Sequence, residues 1–600
     1  MKAIKQKYLL VFYFCLLQSA FMYGQTTYPQ NYFRYPLDSL PNLVSPFGSL
    51  RDNHFHSGMD LRTNGREGLP VYAAADGYIS RIKVQKNGYG KAIYIEHANG
   101  YSTVYGHLQK YHGPIAEWIH KYQYINKTFE FDKIFMKPFL LVKKGDTIGF
   151  SGNSGGSTGP HVHFEIRNSK TEKTLNPALF GIIPFDTLYP IITKIHVYKF
   201  VQEGLLLKKQ IDLSSKNVID VGFGPQWKDT LVLSPETFAF GLEAFDYIHN
   251  GRDEKGIYSY SLNHNSVPVF SHTLNEFAFD ETKYINAHLD YAWYKLQKQR
   301  VQKCFVSDGN LLGTYLTYGN KGKITPKNGE MGELMFWVQD NNKHTTSLRV
   351  IYKTVGSSQD ADRLSYQQSI WGKRPILPGK PQTIVAPGLE IKMDPKSVYD
   401  TVYYELKVNP TPANAFSEEY SFHTPLVPIH TSFEIAIKPV ACPDGLEKKL
   451  VLAYGHPKAD NYNSIGGNYD KGWVRGKGSN FGNYTLLLDT IPPSIKWSKY
   501  KNEYDDADTL RWDFDIRDNL SGISKYEAFL NEQWVLLDYD AKNHIVTYQW
   551  DEVLKQTAQK LWSSSTVEGE IPTVTMKIIV SDAKGNKQER EFRLMLPQNF

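Results

Sequence analysis

Cysteine, long apolar runs and excess charge are all scarce in this sequence. Its 600 residues contain three cysteines, Cys15, Cys304 and Cys442. Cysteines this few and this widely spaced exclude a disulfide framework and a cysteine-based metal knuckle. The formal net charge is +6, which is too small to indicate a nucleic-acid partner. Beyond residue 25, no segment is apolar enough to predict a membrane span.

The first residues have the pattern of an export signal. A basic start, MKAIKQK, leads into the apolar stretch YLLVFYFCLL and then into QSAFMYGQ. The apolar core is about 13 residues long, shorter than the ~20 that a spanning helix needs. We therefore predict a signal peptide over 1–25 and an exported protein located in the periplasm, the cell envelope or outside the cell. An uncleaved anchor is the alternative.

The rest of the chain is predicted to be mainly β. Tyrosine (40) and phenylalanine (32) are frequent, which favours strands, and 600 residues are too many for one core. Four domains are expected: 26–188, with an irregular insertion at about 111–141, then 189–355, 356–488 and 489–600. Helical character in the insertion is expected only around 114–120.

Three sequence correspondences in the same order indicate an internal repeat. DTLYPIITKI parallels DTIPPSIKWS, FDYIHNGRDEKGIYSYSLN parallels FDIRDNLSGISKYEAFLN, and FWVQDNNKHTTSLRV parallels IIVSDAKGNKQEREFRL. Alternating strands with Asp, Asn and Gly turns predict immunoglobulin-like β-sandwiches for 189–355 and 489–600. The strand-rich stretch 356–488 is a possible third such domain, and short strands with turns predict an antiparallel sheet for 26–188. Asp246, Asp515 and Asp518 could indicate calcium there, but turn chemistry explains them with fewer assumptions.

Histidine is concentrated near the N-terminus, where eight of the 18 lie between His54 and His163. His161 and His163, two apart at the start of a predicted strand, would present both imidazoles on one face. They could serve one metal, or one could bind the metal while the other acts as a base. Surface histidines on a polar strand face are an equally good explanation of this motif alone.

Two further candidates are weak when taken singly. His56 and Asp60, four apart, could converge on one ion if the chain turns at Gly58. His107 ends an alternating strand, where a lone histidine is usually just hydrogen-bonded.

The combination and order of these motifs resemble the lysostaphin/LytM-type zinc endopeptidases. The resemblance rests on His-x-x-x-Asp, Tyr-Gly-His and Gly-Pro-His-x-His-Phe-Glu, together with the flanking GLPVYAAADGYIS and KKGDTIGFSGNSGGSTGP. It covers about 45–185, a quarter of the chain. The connection after His107 is longer than is typical of the family, and it either covers the catalytic face or makes a partly helical excursion.

The resemblance implies a role for each matching position. His56, Asp60 and His163 would bind Zn²⁺ and leave a fourth position for water. His161 would be the general base, and His107 would donate to the oxyanion or orient the water. Glu165 shares the histidine face, although a solvent-exposed carboxylate at a strand edge is the preferred interpretation. His54 is not expected to be a ligand, and His97, His112 and His120 are expected on the surface.

The predicted function is hydrolysis of stem peptides or peptide cross-links of peptidoglycan. A non-catalytic wall-binding protein or activator of other hydrolases is the alternative, because some relatives have lost ligands and act as regulators. Such proteins typically lack at least one metal residue, and this chain lacks none. A third hypothesis is an adhesive protein with a vestigial peptidase. Besides peptidoglycan, a wall or envelope protein bound by the C-terminal domains is a candidate partner.

Overall fold

The computed structural model describes residues 28–39, 42–201, 204–212, 218–220, 225–247, 254–356, 366–455, 461–498, 511–549, 551–564 and 572–596. The predicted signal peptide lies outside these residues. Within them, no helix has the length and apolar character needed to cross a membrane.

The first unit is built on an antiparallel sheet. Its strands are β1 (Leu43–Ser45), β2 (Leu50–Arg51), β3 (His54–Phe55), β4 (Met59–Arg62), β5 (Pro70–Tyr72), β6 (Gly77–Val84), β7 (Lys91–Glu96), β8 (Tyr101–Gly106), β9 (Lys110–Tyr111), β10 (Phe131–Ile134), β11 (Leu141–Val142), β12 (Thr147–Phe150), β13 (His161–Asn168) and β14 (Thr174–Leu175). The large sheet has the order β1-β4-β13-β8-β7-β6-β10, and β5-β12-β9 form a smaller one.

Strand β13 lies inside the large sheet, paired with β4 on one side and β8 on the other. Its alternation places Val162, Phe164 and Ile166 in the hydrophobic core. Its polar residues therefore share the opposite face. The prediction of a strand that begins at His161 is confirmed.

The insertion makes a helical excursion away from this strand. Helix α1 (Gly113–Asn126) has a proline in its first turn, buries Ile115 and Ile119, and ends where Lys127 adopts a left-handed conformation with φ 47°. Strands β10 and β11 then pair with β6. Because β7 and β8 separate β6 from β13, the insertion extends the far edge of the sheet and does not cover the histidine face. The helix is also longer than the single turn that the sequence suggested.

The second unit has two sheets, and its helices are α2 (Ile285–His288) and α3 (Tyr291–Gln297). The strands are β15 (Ile191–Val201), β16 (Gly204–Asp212), β17 (Val218–Asp220), β18 (Pro225–Trp227), β19 (Leu231–Leu233), β20 (Phe238–Tyr247), β21 (Glu254–Lys255), β22 (Ser259–His264), β23 (Val267–Thr273), β24 (Glu276–Phe277), β25 (Gln302–Lys303), β26 (Tyr315–Thr317), β27 (Met331–Gln339) and β28 (Thr345–Thr354). Strand β24 joins the sheet of the first unit through β14.

The third unit has two five-stranded sheets over one core, and β29 and β32 form a further two-stranded sheet. Its strands are β29 (Arg374–Ile376), β30 (Gln382–Ala386), β31 (Leu389–Met393), β32 (Val402–Tyr404), β33 (Leu406–Asn409), β34 (Glu419–Phe422), β35 (Phe433–Ile437), β36 (Leu450–Gly455), β37 (Tyr462–Ser464), β38 (Asn468–Asp470), β39 (Trp473–Gly478) and β40 (Gly482–Leu488).

The fourth unit has two four-stranded sheets and helix α4 (Glu552–Ser564). Its strands are β41 (Ser494–Trp497), β42 (Arg511–Arg517), β43 (Ile523–Leu530), β44 (Gln533–Val535), β45 (Asp538–Asp540), β46 (Ile545–Gln549), β47 (Thr573–Asp582) and β48 (Lys587–Met595). The mainly β fold class is thus confirmed, whereas the exact domain boundaries and the immunoglobulin-like assignment stay predictions.

The second and fourth units share a pairing pattern. In the second, β15 pairs with β20, while β22, β27 and β28 are successive neighbours; in the fourth, β41 pairs with β42, while β43, β47 and β48 are successive neighbours. These strands are the ones that carry the three sequence correspondences. The fourth unit also packs against the first, and their buried apolar residues form one continuous cluster.

Candidate metal centre

Three side chains from separate parts of the first unit converge on one point. Ligand atoms of His56, Asp60 and His163 lie within 4.8 Å of one another. Asp60 Oδ1 is 3.0 Å from His56 Nε2 and 2.9 Å from His163 Nδ1, and the two nitrogens are 3.0 Å apart. All three residues are buried. The structure therefore brings together the three residues that the sequence proposed as ligands.

Backbone pairing accounts for this convergence. Strand β4 carries Asp60 directly opposite His163 on β13, and His56 lies just before β4. Between them, Gly58 passes so close to β13 that a Cβ there would collide with the carbonyl oxygen of Phe164. The chain bends at Gly58, as the sequence suggested; because its φ is not positive, the glycine is required there for close approach to β13.

Hydrogen bonds on the outer atoms set the tautomers of both imidazoles. His56 Nδ1 is 2.8 Å from the carbonyl of Pro46, which can only accept, so Nδ1 must carry the proton. His163 Nε2 donates in the same way to Glu165 Oε1 at 2.8 Å. In the neutral forms the inner nitrogens, His56 Nε2 and His163 Nδ1, therefore present lone pairs to the common point.

Asp60 completes this donor set. Its Oδ2 accepts from the guanidinium of Arg51, which leaves Oδ1 facing the two imidazoles. Burial opposes ionisation of Asp60, but the positive charge and hydrogen bonds that the neighbouring imidazoles offer when they are protonated, His56 foremost, outweigh it and hold the pKa of Asp60 well below the usual value. One carboxylate oxygen and two imidazole nitrogens form a set that suits a transition-metal ion such as zinc.

Glu165 corrects an interpretation made from the sequence. It was expected to be a solvent-exposed carboxylate, but its exposed fraction is 0%. It accepts hydrogen bonds from Ser57 at 2.6 Å, from Tyr89 at 2.5 Å and from Arg167 at 2.6 Å, besides the one from His163. Burial would raise its pKa, but Arg167, His163 and Ser57 together lower it. Glu165 is therefore an ionised carboxylate that orients His163.

In the metal-free cluster, His163 is the residue that binds a proton most strongly. Burial alone would lower the pKa of His163, but hydrogen bonds to Asp60 and Glu165 outweigh it and raise the pKa to about 9. Burial lowers the pKa of His56. The pocket thus stabilises one positive charge between two buried carboxylates, at the point where a metal ion would supply positive charge instead.

His161 and His107 lie beside this cluster, with ring centroids 4.8 Å apart. His161 Nδ1 donates to the carbonyl of Gly159 at 2.8 Å, and His107 Nδ1 donates to that of Ser154 at 2.8 Å. The Nε2 atom of His161 is buried without a hydrogen-bond partner among the described residues, and it lies 3.3 Å from Asp60 Oδ1. Burial and the neighbouring imidazoles lower the pKa of His107 to about 3, so its Nε2 is an acceptor at neutral pH.

The remaining histidines of this unit lie outside the cluster. His54 is exposed, and its Nδ1 donates to the carbonyl of Asp52 at 2.9 Å. His112 and His120 are exposed, as expected. His97 was wrongly expected on the surface: it is 3% exposed and bridges the carbonyl of Asp76 and the hydroxyl of Thr103, each at 2.8 Å. No motif in its neighbourhood signalled this structural role.

Models of two known families match parts of the chain. Residues 54–127 and 110–177 match peptidase family M23, and 377–489 match the Zu5-like domain. The M23 segments include all five proposed site residues.

Similar proteins match only part of the chain. An uncharacterized metalloprotease of Haemophilus influenzae is 32% identical over 162 residues, 26% of this chain and 29% of that protein. The DD-carboxypeptidase/endopeptidase Mpg of Neisseria meningitidis serogroup B is 36% identical over 130 residues, 21% of this chain and 24% of that protein. The solved catalytic domain of lysostaphin from Staphylococcus simulans is 26% identical and covers 23% of this chain and 89% of that one, with a TM-score of 0.18. The chain thus spans less than a third of the length of these curated relatives.

Proposed function

Because the chain contains a peptidase M23 domain of the lysostaphin/LytM type, we propose that it is an exported zinc metallo-endopeptidase that hydrolyses peptide bonds of bacterial peptidoglycan. The observation that carries the proposal is the convergence of His56 Nε2, Asp60 Oδ1 and His163 Nδ1 within 4.8 Å, beside two further histidines. A regulatory protein would need neither the lone pairs aimed at one point nor a buried base next to them.

His56, Asp60 and His163 would hold the zinc ion, and three protein ligands leave a coordination position for water. When bound, the ion would polarise the scissile carbonyl and lower the pKa of water to about 7. The orienting contacts from Pro46 and Glu165 support this assignment, because ligand histidines commonly donate their second N–H to a carbonyl or carboxylate.

His161 is the proposed general base. Its Nδ1–H is held by the carbonyl of Gly159, so the lone pair of Nε2 faces the cluster. Nε2 would take a proton from the attacking water and later deliver it to the leaving amine. The buried position of this atom, unpaired among the described residues, supports the role, since an acceptor without a partner is poised to bind one.

His107 is proposed to orient the water. Its Nδ1–H is held by Ser154, and its pKa near 3 keeps Nε2 unprotonated in the resting state. It can accept a hydrogen bond from water there. Donation to an oxyanion, the other role considered, would require a proton on Nε2 gained during the reaction.

Peptidoglycan is the proposed substrate because similar proteins carry names that specify it. Peptidoglycan DD-endopeptidase ShyB of Vibrio cholerae, 32% identical over 139 residues, is one of them. An exported or envelope location follows from that substrate and from the predicted signal peptide. The second, third and fourth units are proposed to position the enzyme on the wall or on an envelope protein.

The test uses purified full-length protein loaded with zinc and incubated with peptidoglycan. We expect mass analysis to detect released muropeptides, no release with a chelator, and none above background with His161→Ala. His120→Ala, an exposed histidine on α1, is the matched control and should behave as wild type. A folded, zinc-loaded protein that retains wall material without releasing fragments would refute the enzyme assignment in favour of a binding protein.

A further inference from the structure

The second and fourth units each gather acidic side chains away from the metal centre. In the second, ligand atoms of Asp186, Asp340 and His344 lie within 4.8 Å of one another; in the fourth, Asp489, Asp518 and Asp582 do so. Asp186 and Asp489 open the first correspondence of the internal repeat, and Asp340 and Asp582 lie in the third. The clusters thus occupy repeated positions.

The register of the paired strands shows that one more aspartate of each unit, Asp246 and Asp518, occupies a repeated position. The opening strands of the two units pair at Ile191 with Phe245 and at Ser494 with Arg517. Ile191 and Ser494 each follow the opening aspartate by five residues. The next residues after the paired positions are Asp246 and Asp518, so these two are equivalent. The sequence correspondence had aligned Asp246 with Asp515, three residues away from its structural counterpart.

Asp246 is buried and aimed into the first cluster. It is 3% exposed, and its Oδ1 has no hydrogen-bond partner among the described residues. Asp186, Asp246 and Asp340 line one cavity together with Leu43, Pro46 and Met59 of the first unit. Burial, followed by the charges of Asp340 and Asp186, raises the pKa of Asp246 to about 7. Three carboxylates therefore line one cavity, which leaves room for an ion beside them.

Cationic side chains of the described residues do not neutralise this site. His344 Nδ1, 2.8 Å from Asp340 Oδ2, is the sole ion-pair partner that the three carboxylates have within the described part of the chain. Lys343 is directed elsewhere, with its ammonium 3.8 Å from the ring centre of Tyr258. In the fourth unit, Asp518 and Ser521 are half-buried residues, but their Oδ1 and Oγ atoms are enclosed and have no hydrogen-bond partner among the described residues.

We propose that the second and fourth units each bind one divalent cation of the calcium class. Asp186, Asp246 and Asp340 supply the oxygen ligands in the second unit, and Asp489, Asp518 and Asp582 supply them in the fourth. Carboxylate oxygens are the ligands of hard cations, and Ca²⁺ accepts the irregular six- to eight-oxygen shell that aspartates, backbone carbonyls and water can complete. The zinc set of the first unit differs because two of its three ligands are nitrogens.

Calorimetric titration of the full-length protein with Ca²⁺, after removal of calcium and with one equivalent of zinc retained, tests the stoichiometry. We expect two Ca²⁺ per chain for the wild type, one for Asp246→Asn, one for Asp518→Asn and none for the double variant. Asp515→Asn is the matched control. Asp515 lies on β42, just before Asp518, but forms an ion pair with Arg517, so this variant should still bind two Ca²⁺ per chain. A folded wild type that takes up no Ca²⁺ at millimolar concentration, or single variants that bind as much as the wild type, would overturn the proposal.

Thermal unfolding with and without calcium distinguishes a calcium-binding role of Asp246 from a purely structural one. Without calcium, Asp246→Asn should raise the Tm, since it removes a charge that burial and two like charges disfavour. With calcium, the wild type should gain Tm and the variant should gain less. A Tm difference between variant and wild type that is the same with and without calcium would contradict a ligand role.

Discussion

The metal centre of the first unit and the acidic clusters of the second and fourth units prepare their ligands differently. At the metal centre the outer atom of every ligand is tied, by Pro46, Arg51 or Glu165. In the second unit, Asp246 presents an oxygen with no hydrogen-bond partner among the described residues. The contacts at the metal centre fix the direction of each ligand atom and the tautomer of each histidine, as an ion with few ligands requires. The acidic clusters leave carboxylate oxygens free to change position, which suits a larger cation with a flexible coordination shell.

Removal of a zinc ligand should have the largest effect. We expect His163→Ala to abolish both stoichiometric zinc and measurable wall hydrolysis, because two remaining ligands hold the ion poorly and Asp60 and Glu165 lose their shared partner. Metal analysis after gel filtration, with the turnover assay, checks this. Calcium uptake should be unaffected, and a variant that keeps one tightly bound zinc would show that the ligand set is different.

Removal of the proposed base should spare the metal. His161→Ala is expected to retain one zinc and to lose about 10²–10⁴-fold in kcat, the usual contribution of a positioned acid or base. The same preparation must be assayed for zinc and for turnover. Loss of zinc in parallel with activity would assign His161 to the ligand set instead.

Disturbing the residue that orients a ligand should have an intermediate effect. Glu165→Gln is expected to weaken zinc binding about 10–100-fold, as such contacts typically contribute, measured by competition with a chelator. Glu172→Gln is the matched control, since Glu172 is exposed and lies 3.5 Å from the same Arg167. Equal zinc affinity for Glu165→Gln and wild type would mean that this hydrogen bond does not set the tautomer of His163.

Substitution of Gly58, which closely approaches β13, should lower the stability of the fold. Gly58→Ala places a Cβ against the carbonyl oxygen of Phe164 and should cost about 1–3 kcal/mol of unfolding free energy, measured by denaturant titration. Gly156→Ala, where a Cβ would meet neighbours no closer than 3.4 Å, is the control. If Gly58→Ala unfolded at the same denaturant concentration as the wild type, β4 would be able to shift without loss of stability.

The smallest effect on hydrolysis is expected from the acidic clusters. Asp246→Asn should change kcat by less than a few-fold at saturating zinc, because Asp246 contributes no atom to the metal centre. The turnover assay, run with and without calcium, checks this. A loss as large as that of His161→Ala would mean that the two regions are one functional site.

The sequence predicted the histidine cluster because His161 and His163 lie two residues apart on one strand, and because the order of the surrounding motifs resembles a known family. The prediction for Glu165 was wrong, since alternation reveals which residues share a face but not whether the strand is central or at an edge. The prediction for His97 was wrong because this residue follows β7 in a connection whose long-range contact with Asp76 the sequence does not reveal. The position of the insertion depended on the pairing of β10 with β6, a long-range contact. Asp246 was aligned with the wrong aspartate because similar letters, and not strand register, guided the correspondence.

Zinc X-ray absorption spectroscopy of the full-length protein reports the atoms that bind the metal. We expect two imidazole nitrogens at about 2.0–2.1 Å and oxygen as the remaining ligands at about 2.0–2.2 Å, and one imidazole fewer in His56→Ala if that variant retains any zinc. A zinc environment with sulfur, with three or more imidazoles, or with no imidazole would contradict it.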